Sequence, residues 1–191
     1  MKRYGRPWAS ETMTVTILFF VVAIAILNVI TFFMVPADLF VLGVENFQAY
    51  QLVTFQFAHI NYIHLLENLI GLLFIAALAT ELDMDLKEFA LAYFTGVYIA
   101  VPLLLFIPDA VIAGNSTGIF AILAAALIKA NDYVPIRYSL PGVFVFMVAA
   151  SSAFNCYNCG FSLSGSDVFH LAGFISGAAV ILGRAKERIL W

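Results

Sequence analysis

His64, Asn68, Ser116 and His170 are polar residues set in or at the mouth of otherwise apolar stretches. Polar groups are costly in a bilayer, so such residues default to functional candidates, with plain interhelical hydrogen bonding as the alternative. A serine whose hydroxyl proton passes to an imidazole is an activated nucleophile. Imidazole and amide groups aimed into a water-poor site are suited to the oxyanion that forms when such a nucleophile attacks a carbonyl. These residue types together describe acyl transfer through a covalent intermediate. His64 and Asn68, spaced i, i+4 in HLLEN, project from one face of a helix. His59, five residues earlier, stands where the chain enters that helix and could cap or steady it. Ser116 lies in GNSTG, which begins with Gly114 and satisfies the G-x-S-x-G pattern. The soluble form of that motif needs a strand before the serine within an alternating strand and helix sheet, and the chain has no such pattern.

The elements that must position these groups are membrane helices. The chain has 191 residues, 63% of them hydrophobic and 11% charged, with a mean hydropathy of +1.00. One water-soluble domain of that length cannot bury so much apolar surface, whereas about 120 apolar residues suit six crossings at roughly 20 each. Disorder, nucleic-acid binding through a basic surface and a disulfide-stapled fold are excluded by the same figures. Apolar runs broken by charges and turn formers give six spans, at about 13–35, 60–80, 88–107, 116–130, 141–157 and 167–184. The expected fold is an all-α membrane protein, one six-helix unit over 1–191 with both termini cytoplasmic. Threaded so, Lys2, Arg3, Arg6, Lys87, Lys129, Arg137, Arg184, Lys186 and Arg188, every basic residue of the chain, fall on the inner side. The outer side then carries 36–60, 107–114 and 155–167.

Spans two, four and six run from outside to inside, and their polar residues lie at one depth, within about 12 Å of the outer surface at the helical rise per residue. A shared depth argues for one site. The span that Ser116 opens is about 15 residues or roughly 22 Å long, short of the ~30 Å apolar core. Its N-terminus is therefore expected below the surface, with free N–H groups and the positive dipole end facing Ser116. The alternative role for Ser116 is that of a helix cap. Gly173 and Gly177 share a face of the last span, and a small-residue face lets helices approach closely. Set against Gly118, Ala121 and Ala125, that face would bring His170 within reach of the serine proton.

In combination these features resemble the rhomboid family of intramembrane serine proteases in its basic six-helix form. The resemblance rests on FQFAHINYIHLLENLIGLLFIAALATEL (55–82), GNSTGIFAILAAAL (114–127) and HLAGFISG (170–177), and covers nearly the whole chain. It implies a Ser116/His170 dyad without a third acid, with an oxyanion hole formed by His64, Asn68 and the Ser116 backbone N–H. Phe120 matches the aromatic that packs under the catalytic imidazole, and Glu81 the acidic residue that ends span two. The implied partners are transmembrane-helix substrates that enter sideways from lipid between spans two and five, where Glu67 would hydrate the gate or snorkel outward. No cofactor, metal or nucleic acid is expected, and the oligomeric state is left open. The implied location is the cell membrane, with the site open to the extracytoplasmic side.

Two positions depart from the family pattern. Thr117 stands where a glycine usually follows the nucleophile, which crowds the turn beside the oxyanion hole. Tyr50 and Gln51 stand where a Trp-Arg pair usually precedes span two, a change that concerns loop folding and membrane seating. Cys156 and Cys159 in the last outer segment either form a strained disulfide or remain free thiols. Two sulfurs alone are too few for zinc. A transporter or channel would carry paired mid-membrane charges and an inverted repeat, and neither is visible. The rival within the family is a catalytically inactive protein that binds transmembrane clients.

Overall fold

The computed structural model describes residues 11–107, 109–130 and 165–189. The described chain consists of helices and one minimal strand pair. Helix α1 spans Glu11–Met34, α2 Ala37–Phe40 and α3 Gln51–Thr54, which runs into a 3-10 turn at Phe55–Phe57. Helix α4 spans Tyr62–Glu81, α5 Leu86–Leu103, α6 Ser116–Lys129 and α7 Gly165–Ile189. Among the described residues α1, α4, α5 and α7 are long and apolar enough to cross a membrane, while α6 is shorter. The apolar runs expected at 13–35, 60–80, 88–107, 116–130 and 167–184 thus fall on helices, with ends displaced by a few residues. The run at 141–157 lies outside the described residues, as do Cys156, Cys159, Lys2, Arg3, Arg6 and Arg137.

Local chemistry sets the helix ends. Pro36 follows α1, and Pro102 in the last turn of α5 brings that helix to its end. The Asn61 side chain accepts from His64 N at 2.9 Å and caps α4. Asp85 and Glu88 form a reciprocal capping box at the start of α5. Helix α4 closes with Met84 N donating to Ala79 O at 2.9 Å, and Asp83 takes the left-handed conformation that this closure needs, at φ 51°. Met84 is fully buried beneath the turn.

Side-chain contacts give the relative directions of the helices. Phe32 and Phe33 near the end of α1 meet Tyr62 at the start of α4, so these two are antiparallel. Helix α6 is the centre of the bundle. Along α7, Gly173 lies against the Thr117 carbonyl and Gly177 against that of Ala121, a register that makes α6 and α7 parallel. Helix α5 runs the other way, with Gly96 beside Thr117 and Ala121, and Glu88 paired to Lys129 Nζ at 2.6 Å. A Cβ at Gly96, Gly173 or Gly177 would run into α6, so these three glycines set how closely its neighbours approach. Ala121, Ala124, Ala125 and Ala126 are fully buried in consequence.

The two ends of the bundle differ. At one end Lys129 also donates to Asp83 O at 2.9 Å, and Arg184 lies 3.9 Å from Asp85. Toward the other, α2 packs on α3, and the layer they form continues into the 3-10 turn, which packs on α1. There β1 (Leu42–Gly43) pairs antiparallel with β2 (Val111–Ile112), tying the segment between α2 and α3 to the loop before α6. Gln51 holds this layer together: its Oε1 accepts from Gln48 N at 2.8 Å and its Nε2 donates to Leu39 O at 3.4 Å. The position that departs from the family's Trp-Arg pair therefore serves loop folding, by hydrogen bonds from a buried amide.

Candidate active site

Ser116 is the first residue of α6 and His170 lies in the second turn of α7. Ser116 Oγ and His170 Nε2 are 2.7 Å apart, a hydrogen bond between residues 54 positions distant in the chain. The parallel register of α6 and α7, fixed by Gly173 and Gly177, brings the imidazole to the depth of the hydroxyl. The Phe120 ring, one turn below Ser116, has its centroid 4.4 Å from that of His170 with the planes inclined by 31°. It thus supports one side of the imidazole.

Gly114 approaches α4 closely. Its φ of +84° belongs to the left-handed region, and a Cβ there would lie 3.0 Å from His64 Nε2 and 3.4 Å from Asn68 Nδ2. Both side chains are thus gathered against the loop two residues ahead of the serine. Gly114 N donates to Phe55 O at 2.9 Å, which pins that loop to the 3-10 turn. Asn68 is buried and donates through Nδ2 to His64 O at 2.8 Å, one turn back in its own helix. Its amide carries a second N–H.

His59 is buried, its Nδ1 3.1 Å from Phe57 O and its ring 5.0 Å from that of His64. Burial, reinforced by the neighbouring His64, pushes its pKa down to about 4 against the opposing bond to the Phe57 carbonyl. A neutral His59 donates from Nδ1, which leaves Nε2 unprotonated; that atom is buried and has no partner among the described residues. Glu67 is exposed on α4, and Glu81 ends that helix. Asp167 lies in the first turn of α7. Among the described residues no three His, Cys, Asp or Glu side chains converge to hold a metal ion.

Thr117 is buried with its Oγ1 unpartnered among the described residues, yet α6 still begins at Ser116. The close fit to α5 falls at the next residue, where a Cβ on Gly118 would lie 2.8 Å from Tyr93 and Val97. Sequence reasoning missed Asn115, Tyr93 and Gln56. Asn115 Nδ2 donates to Tyr93 Oη at 3.2 Å, and Tyr93 Oη donates to Gln56 Oε1 at 3.2 Å. The one available signal was an asparagine directly before the serine, a residue type that favours helix starts.

A half-buried serine–histidine pair at a helix N-terminus, beside imidazole and amide donors, can attack a carbonyl and stabilise the charge that develops. Comparisons with curated proteins and with solved structures return no match for the chain. Residues 46–187, however, match the family model described as Rhomboid domain. With that match over most of its length and four helices apolar enough to span a bilayer, the chain is an integral membrane protein that belongs to the rhomboid family.

Proposed function

We propose that the chain is an intramembrane serine endopeptidase that hydrolyses peptide bonds near the outer ends of other proteins' transmembrane segments. The observation that carries this reading is the 2.7 Å separation of Ser116 Oγ and His170 Nε2 at the start of α6. Ser116 attacks the carbonyl carbon while His170 Nε2 takes its proton. His64, Asn68 and the Ser116 N–H hold the tetrahedral oxyanion. His170 then gives the proton to the leaving amine, and an ester on Ser116 remains. Water, deprotonated by His170, attacks that ester, and His170 returns the proton to Ser116 Oγ as the acid product leaves. No step calls for a metal or cofactor.

In this reading the unit has six spans with both termini in the cytoplasm and the site facing outward. A regular helix hides its carbonyls in i to i−4 bonds, so a substrate must unwind at the cleaved bond, and helix-destabilising residues there favour cleavage. The substrate enters from lipid beside α4, where Glu67 is exposed. Thr117 in place of glycine favours a second reading, an inactive member that binds transmembrane clients. Co-expression with a single-span reporter separates them: the wild type cleaves, and Ser116→Ala and His170→Ala do not. Cleavage that persists in both variants removes the dyad, and no cleavage of a panel of reporters by the wild type favours the inactive member.

A further inference from the structure

The peptide that joins Asn115 to Ser116 supplies the Ser116 N–H, and ψ of Asn115 sets how the Asn115 side chain and the loop before it sit over that N–H. Asparagine before a helix ordinarily adopts extended backbone and turns its side-chain oxygen onto the first-turn N–H groups, which stabilises a helix by about 1 kcal/mol. Asn115 does neither. Its backbone lies at φ −107° and ψ 14°, and its side chain makes no capping hydrogen bond. Its Oδ1 is buried without a partner among the described residues, and its Nδ2 donates to Tyr93 Oη.

The direction of the chain of bonds is fixed. Gln56 Nε2 donates to Val53 O at 3.1 Å, which turns Gln56 Oε1 toward Tyr93. The Tyr93 hydroxyl must therefore donate to Gln56 and accept from Asn115. Tyr93 and Asn115 are fully buried and Gln56 nearly so, so water does not compete for these bonds. The Asn115 carbonyl accepts from Gly118 N at 3.0 Å and Ile119 N at 3.2 Å, bonds that a capping residue keeps. Passing to the extended capping conformation would therefore turn ψ of Asn115 by well over a right angle and swing its side chain and the preceding Gly114 about the start of α6. That rotation would bring the Asn115 side-chain oxygen, an acceptor, over the first-turn N–H groups beside Ser116, where the oxyanion needs donors.

We propose that Tyr93, oriented by Gln56, is a positioning residue that holds the Asn115 side chain off the first turn of α6 and so keeps the Ser116 N–H open to the reacting carbonyl. The proposal rests on the protease reading above and names what holds its oxyanion hole open. The test uses the full chain in bicelles with a cleavable reporter and a fluorophosphonate that labels the active serine. Tyr93→Phe keeps the ring and frees Asn115; kcat and the labelling rate at Ser116 are expected to fall at least about tenfold, with KM and the thermal midpoint little changed. Adding Asn115→Ala removes the reward for capping, so the double variant is expected to recover the rate of the Asn115→Ala single variant. An unchanged kcat in Tyr93→Phe, a double variant as slow as Tyr93→Phe, or a joint loss of KM, stability and kcat overturns the proposal while leaving the protease intact. A wild type that neither cleaves nor labels at Ser116 overturns the protease reading, and this proposal with it.

Discussion

Protonating His59 in the folded chain places a charge in a buried site beside a second imidazole. Its pKa is pushed down to about 4, first by burial and then by His64, whereas in the unfolded chain it titrates near 6.5. A folded value below the unfolded one means that the unfolded state binds the proton more readily. The stability tied to neutral His59 is therefore complete above pH 6.5 and is lost as pH falls from there toward 4. Thermal unfolding in bicelles is expected to show a falling midpoint over that window, and a shallower fall in His59→Gln. Equal slopes for the two chains would mean that His59 titrates without consequence for the fold. The sequence placed His59 at the mouth of a helix and left its role open. Its partner is the Phe57 carbonyl, two residues back, and no pattern of side chains marks such a bond. The pairing of Ser116 with His170 was legible because a serine and a histidine stand out in apolar runs. Tyr93 was not, since a tyrosine in a hydrophobic span looks like any other aromatic until its hydroxyl is seen to join Asn115 to Gln56.

Helix α7 carries two glycines whose substitution by alanine is expected to act in opposite directions. At Gly177 a Cβ would enter the Ala121 carbonyl of α6, backbone that cannot move aside. Gly177→Ala is expected to cost about 1–3 kcal/mol by overpacking and to lower activity, because α7 must back away from α6 and take His170 with it. At Gly183 nothing lies within 4 Å of the added Cβ. Gly183→Ala is therefore expected to stabilise by up to about 1 kcal/mol through helix propensity and to leave cleavage intact. Thermal midpoints and reporter cleavage check both; a Gly177→Ala chain as stable and active as the wild type would mean that the close α6–α7 approach does not position the dyad. The close face was readable from the four-residue spacing of Gly173 and Gly177. The helices themselves were readable because long apolar runs are the strongest signal a membrane chain offers. By contrast, α2, α3 and the β1–β2 pair are too short for any periodicity. The pairing of Leu42 with Ile112 joins residues seventy positions apart, and only the folded chain brings them together.

At the scale of the whole molecule the asymmetry between the two ends of the bundle carries the argument. Lys129, Arg184, Asp85 and Glu88 gather at one end, and Ser116, His170, His64 and Asn68 toward the other. All nine Lys and Arg fall on one side of a six-span threading, and loop bias in these residues sets orientation. The charged end should therefore face the cytoplasm. Helix α6 adds a consequence for water. Its 14 residues span only about 21 Å of a ~30 Å apolar core, so in that threading, with Lys129 at the inner surface, Ser116 is expected below the outer one and reached by water from outside. The chain's two cysteines, Cys156 and Cys159, provide the check, because the same threading puts both on the outside. Intact cells treated with a membrane-impermeant reductant and then an impermeant maleimide are expected to label the wild type, and a Cys156→Ser/Cys159→Ser chain not at all. Reduction first makes the result independent of whether the two sulfurs are joined. Labelling that appears only after the membrane is opened would reverse the orientation, set the positive charges against their usual bias, and turn the recessed serine toward cytoplasmic rather than external water.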